Sequence, residues 1–368
     1  MPDTKKEREA RNMLSITNSK VFDTIKILIS ICIAFIITFV ILCLISEDPV
    51  NALVTILTGP FRKTRYLGSI IESFIAYAFA GLAAGILFKS GAFNLGAEGI
   101  FIISGVSVAA VACNPITTNP FLHSALCILA GALTGGILMI IPSFLKAKFG
   151  TNEMVVSLML NSIYSGISMF IIRNYLLTTT TNTVGSKDYL ETAKIGYLYE
   201  PLRISACLIL LIVCTVVLYI IMYKTKLGYQ IRLAGSNPKF SEYSGINSFK
   251  LALITSAIAG VLAGMGAACQ LLTQTSFYQP DKSLTGIGFS GMLLSMLGRN
   301  NPIGIVISAF LIKYLEQGTQ VLYFVDRAVP SEIVAIVEGI VILLISSQYF
   351  LRGFREKKLL QEGLKKDA

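Results

Sequence analysis

The sequence has few charged residues, no tryptophan and a single histidine. Charged residues make up 14% of the 368 positions and hydrophobic residues 54%, whereas an average soluble protein is roughly 25% charged. A soluble globule of this composition would have too little polar surface, so the composition excludes a soluble enzyme. The sequence also has no Gly-Lys pair of a phosphate loop, no HExxH and no GxSxG motif. We therefore expect no catalytic residues and no ATP site in this chain.

The seven cysteines and the histidine do not form a metal-binding pattern. All the cysteines lie in or at the ends of apolar runs, and none belongs to a CxxC pair. Because a metal site needs clustered ligands, we expect none here and interpret the cysteines as small buried hydrophobic residues.

Apolar runs long enough to cross a bilayer recur along the chain. The first, 27–45, would form a helix of about 28 Å. Since the runs are continuous rather than alternating, they exclude an antiparallel barrel. We predict an all-α integral membrane protein with about ten transmembrane helices, the eighth of them short. The runs lie near 27–45, 67–88, 96–113, 121–141, 154–172, 204–223, 251–272, 286–298, 303–324 and 331–350.

Lysine and arginine predict the orientation of these helices. The net charge of +10 is typical of cytoplasmic loops in a membrane protein and need not indicate nucleic acid. If both termini are cytoplasmic, most of the loops that are rich in lysine and arginine also lie on the cytoplasmic side. The basic residues at 62–65 are an exception, because this orientation places them outside. The predicted organisation is a cytoplasmic segment over 1–24, a transmembrane domain over 25–350 with a cytoplasmic loop at 224–250, and a basic cytoplasmic tail over 351–368.

Three GxxxG pairs, at 81/85, 131/135 and 260/264, predict close helix packing. The similar stretches "AGLAAG" at 80–85 and "AGVLAG" at 259–264 suggest two related halves, although chance in a Gly/Ala-rich helix explains them equally well.

A glycine-rich segment, "GAFNLGAEG" at 91–99, interrupts the apolar pattern. It carries Phe93, Asn94 and Glu98. Three glycines weaken a helix, and a broken helix beside a buried acid is typical of solute sites in transporters. The alternative is an ordinary turn in which Glu98 is stabilised by a helix N-terminus.

A polar stripe follows one face of the helix predicted at 154–172. Ser157, Asn161 and Ser165 are spaced by four residues, and Asn152 is placed to cap this helix. In lipid the stripe must either hydrogen-bond a neighbouring helix or line a pathway for a polar solute.

The loop "LGYQIRLAGSNPKFSEYSGIN" at 227–247 contains a predicted short helix of about seven residues. Asn237 suits the N-cap, Pro238 the first helical position and Gly245 the C-terminal stop. A capped helix between spans is suited to docking another protein, and a solvated loop is the alternative. Glu338 lies near the middle of the last predicted span. An acid at this depth is interpreted as a functional group, and the alternative is a structural hydrogen bond to a neighbouring helix.

Four of these segments resemble the permease subunits of ABC importers for branched-chain amino acids, simple sugars and nucleosides. They are "GAFNLGAEG", "TNEMVVSLMLN", "LGYQIRLAGSNP" and "GIGFSGMLLSMLGRNNPIG", in this order. The resemblance covers roughly 50–350 and is closest to nucleoside permeases. It implies the ABC importer permease fold in a bacterial cytoplasmic membrane. The implied partners are a second, different permease chain, two cytoplasmic ATPase subunits that bind ATP and magnesium, and an external solute-binding lipoprotein.

The resemblance also implies residue roles. The segment with Arg232, Gly235, Asn237, Pro238 and Gly245 would couple the chain to the ATPase, although Lys239–Ser241 depart from the small residues usual after Asn-Pro. Apart from the resemblance, the glycine-rich segment and the polar stripe supply the candidate residues of the solute pathway, which are Phe93, Asn94, Glu98, Ser157, Asn161 and Ser165.

Two alternatives remain open at this point. Within the same class, the solute could be a ribose-like sugar or a branched-chain amino acid. A different class is a proton- or ion-coupled carrier that acts alone, for which the acids Glu72, Glu98 and Glu338 would be the relevant groups.

Overall fold

The computed structural model describes residues 48–177, 184–279 and 286–325, with isolated positions at 36, 37, 39, 40, 43 and 339. The first and last predicted spans therefore lie outside the described residues, apart from those isolated positions. The described helices, in chain order, are α1 Pro49–Thr58, α2 Thr64–Lys89, α3 Ala97–Ala112, α4 Pro120–Leu138, α5 Ile140–Phe149, α6 Glu153–Ile171, α7 Ala206–Lys224, α8 Lys226–Ser236, α9 Pro238–Tyr243, α10 Ser248–Gln274, α11 Ile287–Leu297 and α12 Pro302–Val325.

The predicted all-α architecture is confirmed, with one small addition. The eight predicted spans between 67 and 324 each coincide with one helix, and their ends agree to within three residues. The addition is an antiparallel hairpin of two short strands, β1 Tyr197–Tyr199 and β2 Ile204–Ser205. The hairpin escaped the sequence analysis because strands of this length leave no periodic pattern.

Local chemistry explains where the helices end. Asn152 caps α6 as predicted, since its side-chain oxygen accepts a hydrogen bond from Met154 N at 3.1 Å. Helix α4 ends at Leu138, three residues before the end of the predicted span. Pro142 has no N–H group to donate to Leu138 O, so the helix cannot continue regularly there. The Tyr164 hydroxyl, from α6, donates to that carbonyl oxygen instead at 3.1 Å.

Five described helical segments are long and apolar enough to cross a membrane: Thr64–Lys89, Pro120–Phe149, Glu153–Leu176, Ala206–Lys224 and Ser248–Gln274. Helices α3 and α11 are apolar but shorter. With 11 residues, α11 is about 16 Å long, roughly half the thickness of the hydrocarbon core. The eighth predicted span is therefore short, as expected.

Helices α2 and α10 occupy the centre of the packing. In their most apolar stretches 83% and 61% of the residues are buried, against 33% or less in the other three long segments. Helix α10 packs against α2, α3, α4 and α5, while α3 also packs against α6. The less buried helices present apolar side chains outwards, as a membrane protein requires.

Two predicted GxxxG pairs pack against each other. A Cβ at Gly135 of α4 would overlap the carbonyl oxygen of Gly260 in α10, and a Cβ at Gly264 would overlap that of Gly131. The predicted close approach of helix backbones is therefore confirmed. The pair in α2 packs instead against the side chain of Ile305 in α12.

The chain divides into two compact units. One comprises residues 60–317 and contains the predicted pathway and coupling residues. The other comprises residues 1–59 and 318–368, and within it Gly318 packs against the carbonyl oxygen of Ile56 in α1.

Candidate functional site

The glycine-rich segment at 91–99, called the glycine segment below, breaks the chain between α2 and α3 as predicted. Gly91 adopts a positive φ of 78°, a conformation that glycine adopts without strain. The side-chain oxygen of Asn94 accepts a hydrogen bond from Gly96 N at 2.7 Å. Asn94 is buried, so this turn lies inside the protein rather than at its surface.

The polar stripe of α6 hydrogen-bonds the backbone of the glycine segment. Ser157 Oγ accepts a hydrogen bond from Leu95 N at 3.0 Å. Asn161 Oδ1 accepts one from Gly99 N at 2.9 Å, and Asn161 Nδ2 donates one to Leu95 O at 3.0 Å. These bonds satisfy backbone groups that the helix break leaves without partners. Contact with a neighbouring segment is thus observed, and a role for the stripe in the pathway stays a prediction.

A buried polar network around Glu153 holds the same segment and was not identified from the sequence. Glu153, at the start of α6, accepts hydrogen bonds from Asn94 Nδ2 at 3.2 Å and from Ser143 Oγ at 2.7 Å. Lys146 pairs with its other carboxylate oxygen at 2.9 Å. Ser143 also lies 2.5 Å from Ser256 Oγ in α10. The network therefore joins the glycine segment to α5, α6 and α10.

Glu98 joins the start of α3 to the start of α11. Its two carboxylate oxygens accept hydrogen bonds from Gly286 N at 3.1 Å and from Gly288 N at 2.7 Å. A Cβ at Gly288 would overlap the backbone nitrogen of Glu98. N–H groups at a helix start carry partial positive charge, so they stabilise an ionised carboxylate. Glu98 therefore caps a helix that is 190 residues away in the sequence.

The remaining predicted pathway residues lie outside these hydrogen-bond networks. Phe93 is 45% exposed and stacks on Phe88 with 5.1 Å between the ring centroids. Ser165 is half-buried on α6. Glu338, the predicted acid of the last span, lies outside the described residues.

The predicted short helix after Asn237 is confirmed as α9. Asn237 Oδ1 accepts a hydrogen bond from Phe240 N at 3.0 Å, and Pro238 occupies the first helical position. The helix has six residues, and Gly245 follows it with a φ of +78°. It exposes two large aromatic side chains, Phe240 at 53% and Tyr243 at 90%.

Helix α8 connects α9 to the glycine segment. A Cβ at Gly235, near the end of α8, would overlap the carbonyl oxygen of Lys89, the last residue of α2. Arg232 lies one turn earlier, with its guanidinium carbon 5.3 Å from the centre of the Tyr223 ring. Gly235, one of the predicted coupling residues, is therefore in direct contact with the helix break.

A pocket of about 380 Å³ lies between the last turns of α10, the segment that follows them, Phe101 of α3 and the start of α11. Phe101 of α3 and Phe277 contribute aromatic rings, and Gln270 of α10 contributes a half-buried amide. Within the described part of the chain, that amide has no hydrogen-bond partner. An apolar pocket with a few polar groups is the usual form of a small-molecule site.

A buried ion pair holds the β-hairpin beside this pocket. Glu72 of α2 pairs with Arg203 at 2.8 Å and accepts a hydrogen bond from the Tyr197 hydroxyl at 2.7 Å. Burial and the bond to Glu72 raise the pKa of Tyr197 to about 12. Gln274, which lines the pocket, donates to the Glu72 carbonyl oxygen at 3.1 Å.

A buried cation, Lys313 of α12, was not identified from the sequence. It pairs with Glu316, and its Nζ lies 3.2 Å from the centre of the Tyr77 ring. Lys313 is only 4% exposed, and a cation buried in this way is stabilised by the carboxylate and by the face of the ring. Within the described ranges, no group of three His, Cys, Asp or Glu side chains could hold a metal ion.

A weak signal for the pocket was present in the sequence. Gln270 and Gln274 are four residues apart in an otherwise apolar helix, the same spacing that identified the stripe on α6. No local pattern, however, pairs them with Phe101, which is far away along the chain.

Comparison with known proteins identifies relatives over most of the chain. The sequence profile of the family described as "Branched-chain amino acid transport system / permease component" matches residues 66–346. The guanosine ABC transporter permease protein NupP of Bacillus subtilis is 30% identical over 83% of this chain and 87% of its own length. The nucleoside ABC transporter permease protein NupB of Lactococcus lactis is 27% identical over 91% and 93%. The glucose ABC transporter permease protein TsgB13 of Haloferax volcanii is 26% identical over 84% and 83%.

Proposed function

The chain belongs to the family of permease components of branched-chain amino acid transport systems, and we propose that the solute of this member is a nucleoside. As a permease subunit of an ABC importer it is a multi-pass membrane protein and not an enzyme. Separate ATPase subunits and a second permease complete such a transporter. The finer points that follow are our proposal.

The pocket beside α3 and α11 carries this proposal. Two aromatic rings, Phe101 and Phe277, offer stacking surfaces for a nucleobase, and the Gln270 amide offers one donor and one acceptor for a base edge or a ribose hydroxyl. The pocket is close to the helix starts that Glu98 joins, so movement of the glycine segment would change its shape. In this scheme Asn94, Ser157 and Asn161 position the glycine segment, while Phe93 and Ser165 remain candidate contacts of the solute.

Coupling to the ATPase would run through α9, α8 and Gly235. We propose that the exposed face of α9 docks on an ATPase subunit. Closure of the ATPase dimer would then displace α8, and Gly235 would transmit this displacement to Lys89 and to the glycine segment. The pathway would open alternately to the two sides of the membrane.

The assembly we propose is a heterodimer of two different permeases with an external solute-binding lipoprotein. The distribution of basic residues supports cytoplasmic termini and a cytoplasmic α9, since 224–250 is rich in lysine and arginine. The lipoprotein would supply most of the solute selectivity, so few contacts in the permease are needed.

A sugar is the second candidate solute. The relative named as a glucose permease supports it, and an amide such as Gln270 hydrogen-bonds a sugar hydroxyl as well as a ribose hydroxyl. The aromatic rings favour a nucleoside, because a planar base offers them a larger stacking surface than a hexose does.

A carrier that acts alone receives less support from the geometry. Glu72 is engaged by Arg203 and Tyr197, and Glu98 by two backbone N–H groups. Both carboxylates are thus held by contacts within the protein rather than exposed to a pathway.

Uptake by the complete transporter in liposomes tests the proposal. With ATP on the ATPase side, we expect accumulation of labelled guanosine that unlabelled inosine suppresses and that ribose, glucose and leucine leave unchanged. Suppression by glucose but not by inosine would overturn the nucleoside assignment. Accumulation without ATP would overturn the coupling. Calorimetric titration of the binding lipoprotein with inosine, ribose and leucine gives an independent measure of the solute.

A further inference from the structure

A second pocket, of about 540 Å³, lies where α7 ends and α8 begins. Its lining includes Lys224, Lys226 and Arg232, together with Tyr223 and Tyr229, and no acidic residue is among its described lining residues. Lys224, Lys226 and Tyr229 are exposed. A concave site with three cations and two tyrosines is suited to a phosphate group.

Arg232 is the group that points to a ligand. Its guanidinium carbon lies over the Tyr223 ring at 5.3 Å from the ring centre, so the ring holds the side chain in place. The Nη1 atom is buried and, within the described part of the chain, makes no hydrogen bond. Leaving such a donor unpaired is unfavourable, and a phosphate oxygen would satisfy it.

The surface next to the pocket indicates where this phosphate comes from. Helix α7 exposes a line of large apolar side chains at helical spacing, among them Ile209 at 55%, Val213 at 52%, Val216 at 51% and Ile220 at 47%. Tyr223 is one turn further along the same line. An apolar face of a predicted membrane span thus leads directly into a cationic pocket at the end of that span.

From this continuity we propose that the pocket binds the phosphate of an anionic phospholipid, with the acyl chains along the exposed face of α7. A soluble phosphate would use the cations but not the apolar face, whereas a lipid uses both. Because α8 lines the pocket and also carries Gly235, the bound lipid would hold α8 in place at the membrane surface. The inference concerns a ligand of this region and is independent of which solute is transported.

Removal of the pocket lysines tests the site. The complete transporter is purified with the double variant Lys224→Gln, Lys226→Gln and with a control, Lys148→Gln, Lys250→Gln, which removes two exposed lysines outside the pocket. Phosphatidylcholine is added to displace bound lipid, and the phosphatidylglycerol that each protein retains is then measured by mass spectrometry. We expect an affinity loss of about tenfold or more in the pocket variant, and none in the control. Equal retention in all three proteins would overturn the proposal.

A photo-crosslinking residue in place of Tyr229 identifies the occupant directly, without removing a charge. A crosslink to phosphatidylglycerol in nanodiscs of the complete transporter supports a lipid site. A crosslink to an ATPase subunit instead would overturn it, because the pocket would then be part of a protein interface. Inorganic phosphate at millimolar concentration and phosphatidylglycerol vesicles are each added as competitors of the crosslink. If the phosphate suppresses the crosslink as strongly as the vesicles do, the choice of a lipid over a soluble anion is overturned.

Discussion

Gly91 and Gly235 approach each other backbone to backbone: a Cβ at Gly91 would lie 3.3 Å from the Cα of Gly235. This contact joins α8, which leads into the exposed helix α9, to the first residue of the glycine segment. The far end of the segment is joined to α11 through Glu98. These contacts connect α9 to the starts of α3 and α11, next to the pocket that we propose for the solute.

Enlarging Gly235 should uncouple transport. In Gly235→Val the side chain would overlap the carbonyl oxygen of Lys89, and overpacking of this kind costs about 1–3 kcal/mol. We expect uptake to fall at least about tenfold while the chain still inserts and assembles. The measurement is ATP-driven uptake alongside membrane abundance. The control is Gly166→Val, since a Cβ at Gly166 meets nothing within 4 Å. Normal uptake by the Gly235 variant would exclude transmission through this contact.

Introducing a charge on the exposed face of α9 should weaken assembly with the ATPase. Tyr243 is 90% exposed, and an aromatic anchor at an interface is worth about 2 kcal/mol or more, or roughly a thirtyfold change in affinity. We expect Tyr243→Asp to reduce co-purification of the ATPase. Tyr175→Asp, which alters another exposed tyrosine in the helical turn that follows α6, should leave it unchanged. Full ATPase recovery with Tyr243→Asp would contradict docking on α9.

Replacement of Asn161 distinguishes its two predicted roles. Asn161→Leu leaves Gly99 N and Leu95 O without their partners, at about 1–3 kcal/mol for each buried group. We expect a lower Tm and lower abundance, whereas Ser162→Leu on the exposed side of α6 should change neither. If uptake falls while Tm and abundance are retained, Asn161 acts in the solute pathway rather than in holding the glycine segment.

Two substitutions in the pocket separate a nucleoside from a sugar. Gln270→Leu removes a hydrogen-bonding amide and should raise the KM for any hydroxylated solute, by about tenfold for one lost bond. Phe277→Leu removes a stacking surface and should impair guanosine uptake, whereas uptake of a sugar would depend much less on this ring. Uptake kinetics at constant abundance provide the measurement. Wild-type kinetics in both variants would mean that the solute does not enter this pocket.

The cluster of Tyr197, Glu72 and Arg203 predicts a loss of stability at high pH. Burial and the bond to Glu72 raise the pKa of Tyr197 to about 12, above its ordinary value of about 10. The folded state thus favours the protonated hydroxyl, and its contribution is fully present below about pH 10 and lost as the pH rises towards 12. Tm measured across this range should fall less steeply for Tyr197→Phe than for Tyr199→Phe, which alters an exposed neighbour. Parallel curves would contradict the assignment.

Much of the local structure could be predicted from the sequence. Eight spans, the break at 91–99 and the caps at Asn152 and Asn237 all followed from apolar length, glycine content and residues suited to capping. The candidate site was predictable only in part. Its polar residues were recognised on α6 and in the glycine segment, but the Glu153 network and the pocket beside Phe101 were not.

The sequence by itself determined the class of protein and the positions of the eight helices that match predicted spans, because each of these depends on residues within a few positions of one another. Tertiary structure decided which partner each polar group takes. Asn161 meets backbone groups 62 and 66 residues away, and Glu98 meets Gly288 across 190 residues. Such contacts depend on which helix faces pack together, and the packing is set by the summed burial of many side chains rather than by any local pattern.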